Sequence, residues 1–227
     1  MTSLQQLPLD FDHRTAFSGD DFLVAPCNRQ AVDRIDCWPE WSAAALIVHG
    51  PAGCGKTHLA RVFMAKSGAA IISPEDLAAM EPPELLGDHR ACVIEDADSL
   101  SQQEEHLLHL YNTAQETGRR LLLTASQPPT RWNISLADLR SRLIAAPTVE
   151  IGPPDDALIA AVLVKLFADR QLKVDIEVIN FMLTHMERSF EAARRLVGAV
   201  DETALAERRN ITVPLTKQVL RKLEGAA

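Results

Sequence analysis

Residues 50–57 read Gly50-Pro51-Ala52-Gly53-Cys54-Gly55-Lys56-Thr57 and fit the pattern GxxxxGK[ST]. An apolar run of strand length, residues 45–49 (ALIVH), precedes the stretch, and a helical pattern over residues 56–66 follows it. A phosphate-binding loop requires that setting. The glycines let successive backbone N–H groups face one anion, and the helix start adds its dipole. In such a loop Lys56 reaches the β- and γ-phosphates and the Thr57 hydroxyl ligates Mg²⁺. The backbone of Pro51, Ala52 and Cys54 completes the cradle, with His58 just beyond it. A glycine-rich turn without a ligand is the plain alternative; the flanking strand and helix argue against it.

A phosphate loop needs an acidic partner at the end of another buried strand. Residues 91–95 (ACVIE) form a candidate strand running into Asp96. Glu95 stands at the metal position, where Asp is usual, and Asp96 at the base position, where Glu is frequent. The swapped lengths disturb hydrolysis more than binding. Two solvated acids at a strand end are the alternative. Residues 121–125 (LLLTA) read as a further strand ending in Ser126, placed to sense a γ-phosphate. Arg140 and Arg142 follow in a helix expected to open with a Ser135/Asp138 capping box and to reach about Ile144. A guanidinium reaching a neighbouring subunit's γ-phosphate is an arginine-finger device. A solvated helix face is the plain reading of such a pair.

Outward from these motifs the chain alternates strands and helices. Residues 69–73 (AAIIS) and 148–151 (TVEI) add two strands, Pro74 marks a helix start, and residues 101–117 a helix stopped by Gly118. The apolar runs do not alternate, so the strands are read as covered on both faces in a mainly parallel five-stranded sheet. After Pro153-Pro154 only helical spacing remains, near residues 158–167, 175–184, 189–207 and 214–223. The expected organisation is an extended segment over 1–20, an α/β nucleotide-binding domain over 21–152 and a small all-helical domain over 153–227.

Composition bounds the partners. The chain has 227 residues, 47% of them hydrophobic and 24% charged, as expected of a globular protein with a substantial core. Its net charge is −8, and residues 1–150 hold the whole excess with 12 basic against 20 acidic side chains. Such a surface repels a phosphate backbone, which disfavours autonomous DNA binding. No apolar run is long enough to span a bilayer and no secretory signal is visible. The four cysteines lack metal-ligand spacing, so the reading is a reducing cytoplasm. Ahead of the folded region, Gln6, Leu7, Leu9 and Phe11 surround Pro8 in an extended peptide suited to apolar pockets on a partner. A strap on its own domain is the alternative.

From residue 22 onward the chain resembles the DnaA-type branch of the AAA+ ATPases and, within it, the Hda group of regulators of initiator inactivation. Residues 21–29 (DFLVAPCNR) resemble the segment lying over the adenine, which assigns Val24 to the nucleotide; Ala25 replaces the usual glycine. Residues 50–59 (GPAGCGKTHL) are similar to the initiator's phosphate loop, residues 122–129 (LLTASQPP) to its sensor-1 strand, residues 136–143 (LADLRSRL) to the finger segment with Arg142 at the finger, and residues 152–155 (GPPD) to the hinge into the lid. The hexapeptide 6–11 (QLPLDF) is similar to a sliding-clamp-binding motif. The register places Glu191 where the initiator's lid carries an arginine, with Arg194 one turn later and Arg188 at the start of the same helix.

The resemblance implies a bound ADP or ATP with Mg²⁺, contacts to DnaA and to the sliding clamp of DNA polymerase III, and DNA contact only through them. It implies weak or absent intrinsic ATPase activity and stimulation of hydrolysis by DnaA-ATP in trans. A homo-oligomer stays open. The initiator continues into a helix-turn-helix domain, whereas this chain ends at Ala227, just after the lid. The competing readings are an AAA+ helicase loader or remodeller and a truncated DnaA-type initiator.

Overall fold

The computed structural model describes residues 12–14 and 22–225. The expected partner-binding residues Gln6, Leu7, Leu9 and Phe11 lie outside them. The described chain forms two compact units that meet in sequence at Gly152/Pro153.

In the first unit, β1 (Asp12–Arg14) and β2 (Phe22–Val24) make a two-stranded sheet, followed by α1 (Arg29–Asp36). The main sheet is built from β3 (Ala45–His49), β4 (Ala70–Ile71), β5 (Ala91–Ile94), β6 (Arg120–Ala125) and β7 (Thr148–Glu150). Its order is β4-β5-β6-β3-β7 and all its pairs are parallel. Between the strands run α2 (Lys56–Ser67), α3 (Pro74–Ala79), α4 (Pro82–Leu86), α5 (Glu104–Glu116) and α6 (Ala137–Ala145).

The apolar strands have a hidden period of two. Ala45, Ile47, Cys92, Ile94, Leu121 and Leu123 face one layer, with Leu107, Leu110, Leu139 and Leu143 from α5 and α6. Leu46, Val48, Ala91, Val93 and Leu122 face the other, with Leu59 and Phe63 from α2. Both faces of the central strands β3, β5 and β6 are dry, so their interior positions are almost all apolar. Phe63 is fully buried, stacked on Trp41 at 5.1 Å and edge-on to Trp38 at 5.9 Å.

Some expected boundaries shift. The 69–73 strand shrinks to β4 at the sheet edge, where Ala70 and Ile71 stand in register with Cys92 and Val93 and Ile72 N makes a last bond to Val93 O at 2.8 Å. The helix expected from 101 begins at Glu104, and Gly118, with φ 70°, lies just past its end. The Ser135/Asp138 capping box does not form. Leu136 occupies the N-cap of α6 without a side-chain cap, and the Ser135 hydroxyl donates to Glu104 Oε2 at 2.8 Å instead.

The second unit packs α7 (Asp156–Asp169), α8 (Ile176–His185), α9 (Phe190–Glu207) and α10 (Val213–Glu224) around Leu163, Phe167, Met182, Val197, Val200 and Leu215. Asp155 and Ser189 cap α7 and α9, accepting from Leu158 N at 2.8 Å and Ala192 N at 3.1 Å. Arg188 is not in the α9 helix as expected. It precedes the Ser189 cap and holds Asp156 with a two-point bond at 2.6 and 3.2 Å.

Candidate nucleotide site

In an open parallel sheet, ligands gather outside the carboxyl ends of the strands, where the order reverses. Here that point is β3, with β6 on one side and β7 on the other. Residues 50–57 leave β3 at its carboxyl end. Gly50 N donates to Ala125 O of β6 at 3.2 Å, anchoring the loop. Gly53 (φ 70°) and Gly55 (φ 105°) are left-handed, and Gly55 is the N-cap of α2. Lys56 Nζ donates to Gly50 O at 2.8 Å and Pro51 O at 3.0 Å, so its ammonium lies over the loop's own carbonyls. Thr57 is exposed at the start of α2, whereas Cys54 is buried beneath the loop, which pushes its thiol up. Burial also lowers the His49 imidazole; Glu150 opposes this and Lys56 adds to it.

Gly50 is fixed by contact. A Cβ there would stand 2.2 Å from Ile151 O and 2.9 Å from Cys54 Sγ. Gly50→Ala is therefore expected to displace the loop from β7 and to lower stability by about 1–3 kcal/mol, as overpacking does. Thermal unfolding together with ADP titration checks it; wild-type values in both would show that this approach is not needed.

Glu95 and Asp96 leave β5 beside β6. Asp96 N donates to the buried Thr124 Oγ1 at 3.1 Å, and the Asp96 backbone is left-handed (φ 49°). Asp96 itself is exposed. Glu95 Oε1 is buried without a hydrogen-bond partner, a costly state for a carboxylate oxygen. An orphaned anionic acceptor at this edge, with the exposed Thr57 hydroxyl and the glycine cradle, fits a Mg²⁺-nucleotide. Among the described residues no cluster of three His, Cys, Asp or Glu side chains could hold a metal. A phosphate-bound Mg²⁺ needs none, since phosphate and water supply most of its ligands.

Ser126 follows β6, beside the loop's anchor, with its amide and hydroxyl both donating to Asp98 Oδ2. The Gln127 carbonyl accepts from Trp132 Nε1 at 2.6 Å. The 22–28 segment is held by Asn28, whose Oδ1 accepts from Ala25 N at 2.8 Å and whose Nδ2 donates to Leu23 O at 3.0 Å. Val24 is buried in it. Ala25 is not among the residues with positive φ, so the glycine usual at that position is not required here.

The loop, Glu95-Asp96 and Ser126 thus meet along the carboxyl ends of β3, β5 and β6. Arg142 does not join them. It bonds Asp138 at 3.1 and 3.4 Å and Gln115 Oε1 at 3.3 Å, with its guanidinium carbon 6.0 Å from the Tyr111 ring centre. Arg140 is exposed one turn before Ile144, which is also exposed. In the helical unit, Glu191 and Arg194 lie on the solvent side of α9. Sequence reasoning missed Asp98, Thr124 and Glu104. The first looks like one more loop acid, and the other two acquire meaning only through partners 28 and 31 residues away.

Residues 156–220, nearly the whole helical unit, match the family described as Hda, lid domain. An uncharacterized protein of Haemophilus influenzae is 26% identical over 184 residues, which are 76% of this chain and 80% of that protein. The chromosomal replication initiator protein DnaA of Cutibacterium acnes is 22% identical over 91% of this chain and 46% of its own length. The chain spans about half the length of the DnaA relatives it matches. Among solved structures, domain III of the Thermotoga maritima replication initiation protein DnaA superposes with TM-score 0.76 at 18% identity, covering 88% of this chain and 94% of that one. AMPPCP-bound DnaA from Aquifex aeolicus superposes with TM-score 0.64 at 21% identity, over 79% of this chain and 63% of its own. The first unit and its neighbour thus share the fold of the initiator's domain III, and the helical unit matches the Hda lid family.

Proposed function

We propose that the protein is a nucleotide-bound regulator of replication initiation that activates ATP hydrolysis on DnaA rather than turning over ATP itself. It binds an adenine nucleotide, ADP in the working form, through residues 50–58, with Val24 at the base, Thr57 and Glu95 toward Mg²⁺, and Ser126 and Arg194 as further contacts. Residues Gln6, Leu7, Leu9 and Phe11 tether it to the sliding clamp. Arg142 is supplied to the ATP of a docked DnaA, where positive charge stabilises phosphoryl transfer. When bound, Mg²⁺ supplies charge neutralisation at the phosphates.

The observation that carries this reading is the placement of Arg142. Its side chain is partly exposed and contacts Asp138 of α6 and Gln115 and Tyr111 of α5 rather than its own phosphate loop. A guanidinium held only by such partly exposed contacts can exchange them for another subunit's nucleotide. The lid of Hda type and the acidic first unit agree, since a partner then makes the DNA contact.

Asp96, exposed directly after β5, favours a second reading, an ATPase in its own right. One reconstitution separates the two. Phosphate release from the purified chain is expected to stay below about 1 s⁻¹, the low end for ordinary enzymes. Adding DnaA-ATP and DNA-loaded clamp is expected to accelerate hydrolysis of the DnaA-bound ATP. Fast release by the chain alone, or no acceleration with partners present, would refute the regulator.

A further inference from the structure

Glu104 opens α5 and is 9% exposed, and among the described residues no other charged side chain is more buried. Hydrogen bonds, rather than a cation, answer its charge. Ser135 N donates to Oε1 at 2.9 Å and to Oε2 at 3.1 Å, the Ser135 hydroxyl to Oε2 at 2.8 Å, and Leu136 N to Oε2 at 2.7 Å. The Ser135 amide is the largest cause holding this carboxyl below the usual range.

Ser135 and Leu136 are the last residues before α6, which has no side-chain cap of its own. The first N–H groups of a helix lack internal partners, and its start favours negative charge. Here a carboxylate from another helix performs that task at the entrance. Six residues past Leu136, Arg142 returns to α5 by bonding Gln115 Oε1; Leu139 between these ties and Leu143 just after them are fully packed. Helix α6 is therefore held to α5 at both ends; the entrance tie is partly buried and the Arg142 tie is exposed.

We propose that Glu104 is the positioning residue of the finger: by fixing the entrance of α6 it sets where Arg142 is presented to a partner's nucleotide. This rests on the reading of Arg142 above. A misplacement of about 1 Å can cost roughly 100-fold in rate while leaving association intact. A residue that merely supported the fold would lower stability and every function together.

The test uses the full chain in the clamp–DnaA reconstitution, with Glu104→Gln, Ser135→Ala and Arg142→Ala in parallel. Glu104→Gln keeps the volume but turns one acceptor into a donor facing amide donors. Its maximal stimulated rate is expected to fall at least about tenfold, with half-saturation and ADP affinity within about threefold of wild type. Amide exchange at Ser135 and Leu136 is expected to speed up. Ser135→Ala removes one of three donating groups and is expected to show a smaller fall of the same kind. A wild-type maximal rate in Glu104→Gln overturns the proposal, as does a loss wholly explained by weaker ADP binding or docking. Full stimulation by Arg142→Ala is a separate result and overturns the finger reading itself.

Discussion

Lys56→Ala is expected to lose ADP binding while keeping its fold. The ammonium rests 2.8 Å from Gly50 O and 3.0 Å from Pro51 O, which holds a mobile positive charge over the loop. The remaining donors are backbone amides of fixed direction, and the site otherwise carries acids, Glu95 and Asp96. A hydrogen bond to a charged group contributes about 1.5–3 kcal/mol. A lysine meeting two phosphates makes at least two such bonds, so affinity should drop at least about 100-fold. Circular dichroism should be unchanged, because Lys56 is only half-buried and its partner carbonyls can turn to water. Calorimetry with ADP decides: affinity within about threefold of wild type would refute the phosphate-loop assignment.

Arg142→Ala is expected to abolish stimulation of DnaA-ATP hydrolysis while leaving clamp binding intact. Loss of an arginine finger supplied in trans costs roughly 10³ to 10⁵ in rate. Removing the side chain breaks only exposed or half-exposed contacts, to Asp138, Gln115 and the Tyr111 ring, so α6 should persist. Replacing Gln6, Leu7, Leu9 and Phe11 with alanine should do the reverse, removing clamp binding while the finger stays intact. A high concentration of that tether variant should recover part of the rate, since only local concentration was lost. No concentration of Arg142→Ala should. If Arg142→Ala stimulates fully, the exposed Arg140 becomes the next residue to replace.

Much of this was legible in the chain because phosphate loops and dry parallel strands leave local marks. GxxxxGKT needs its glycines at fixed spacing for backbone reasons, and the runs ALIVH, ACVI and LLLTA are apolar at all positions but His49 and Thr124 because two layers cover them. The helical spacing of the lid was equally plain. What could not be read is the traffic between distant polar groups. Ser135 and Asp138 have the spacing of a capping box, yet the serine turns to Glu104, 31 residues earlier, because a buried carboxylate competes better for its hydroxyl. Glu104 itself stands in the run QQEE, which reads as a solvated helix start. Ala25 shows the opposite case: a departure from the pattern the segment resembles costs nothing where the backbone does not enter the left-handed region.

The close approach at Gly50 limits how this site can be redesigned or drift. The group that a side chain there would strike first is the carbonyl of Ile151, which every amino acid carries. No second substitution at position 151 can therefore make room, and compensation would have to move the end of β7. The collision with Cys54 Sγ is different, because a smaller residue at 54 removes it. One neighbour is thus negotiable by mutation and the other is not, so a library varying residues 50, 54 and 151 together should return glycine at 50 whatever the other two become.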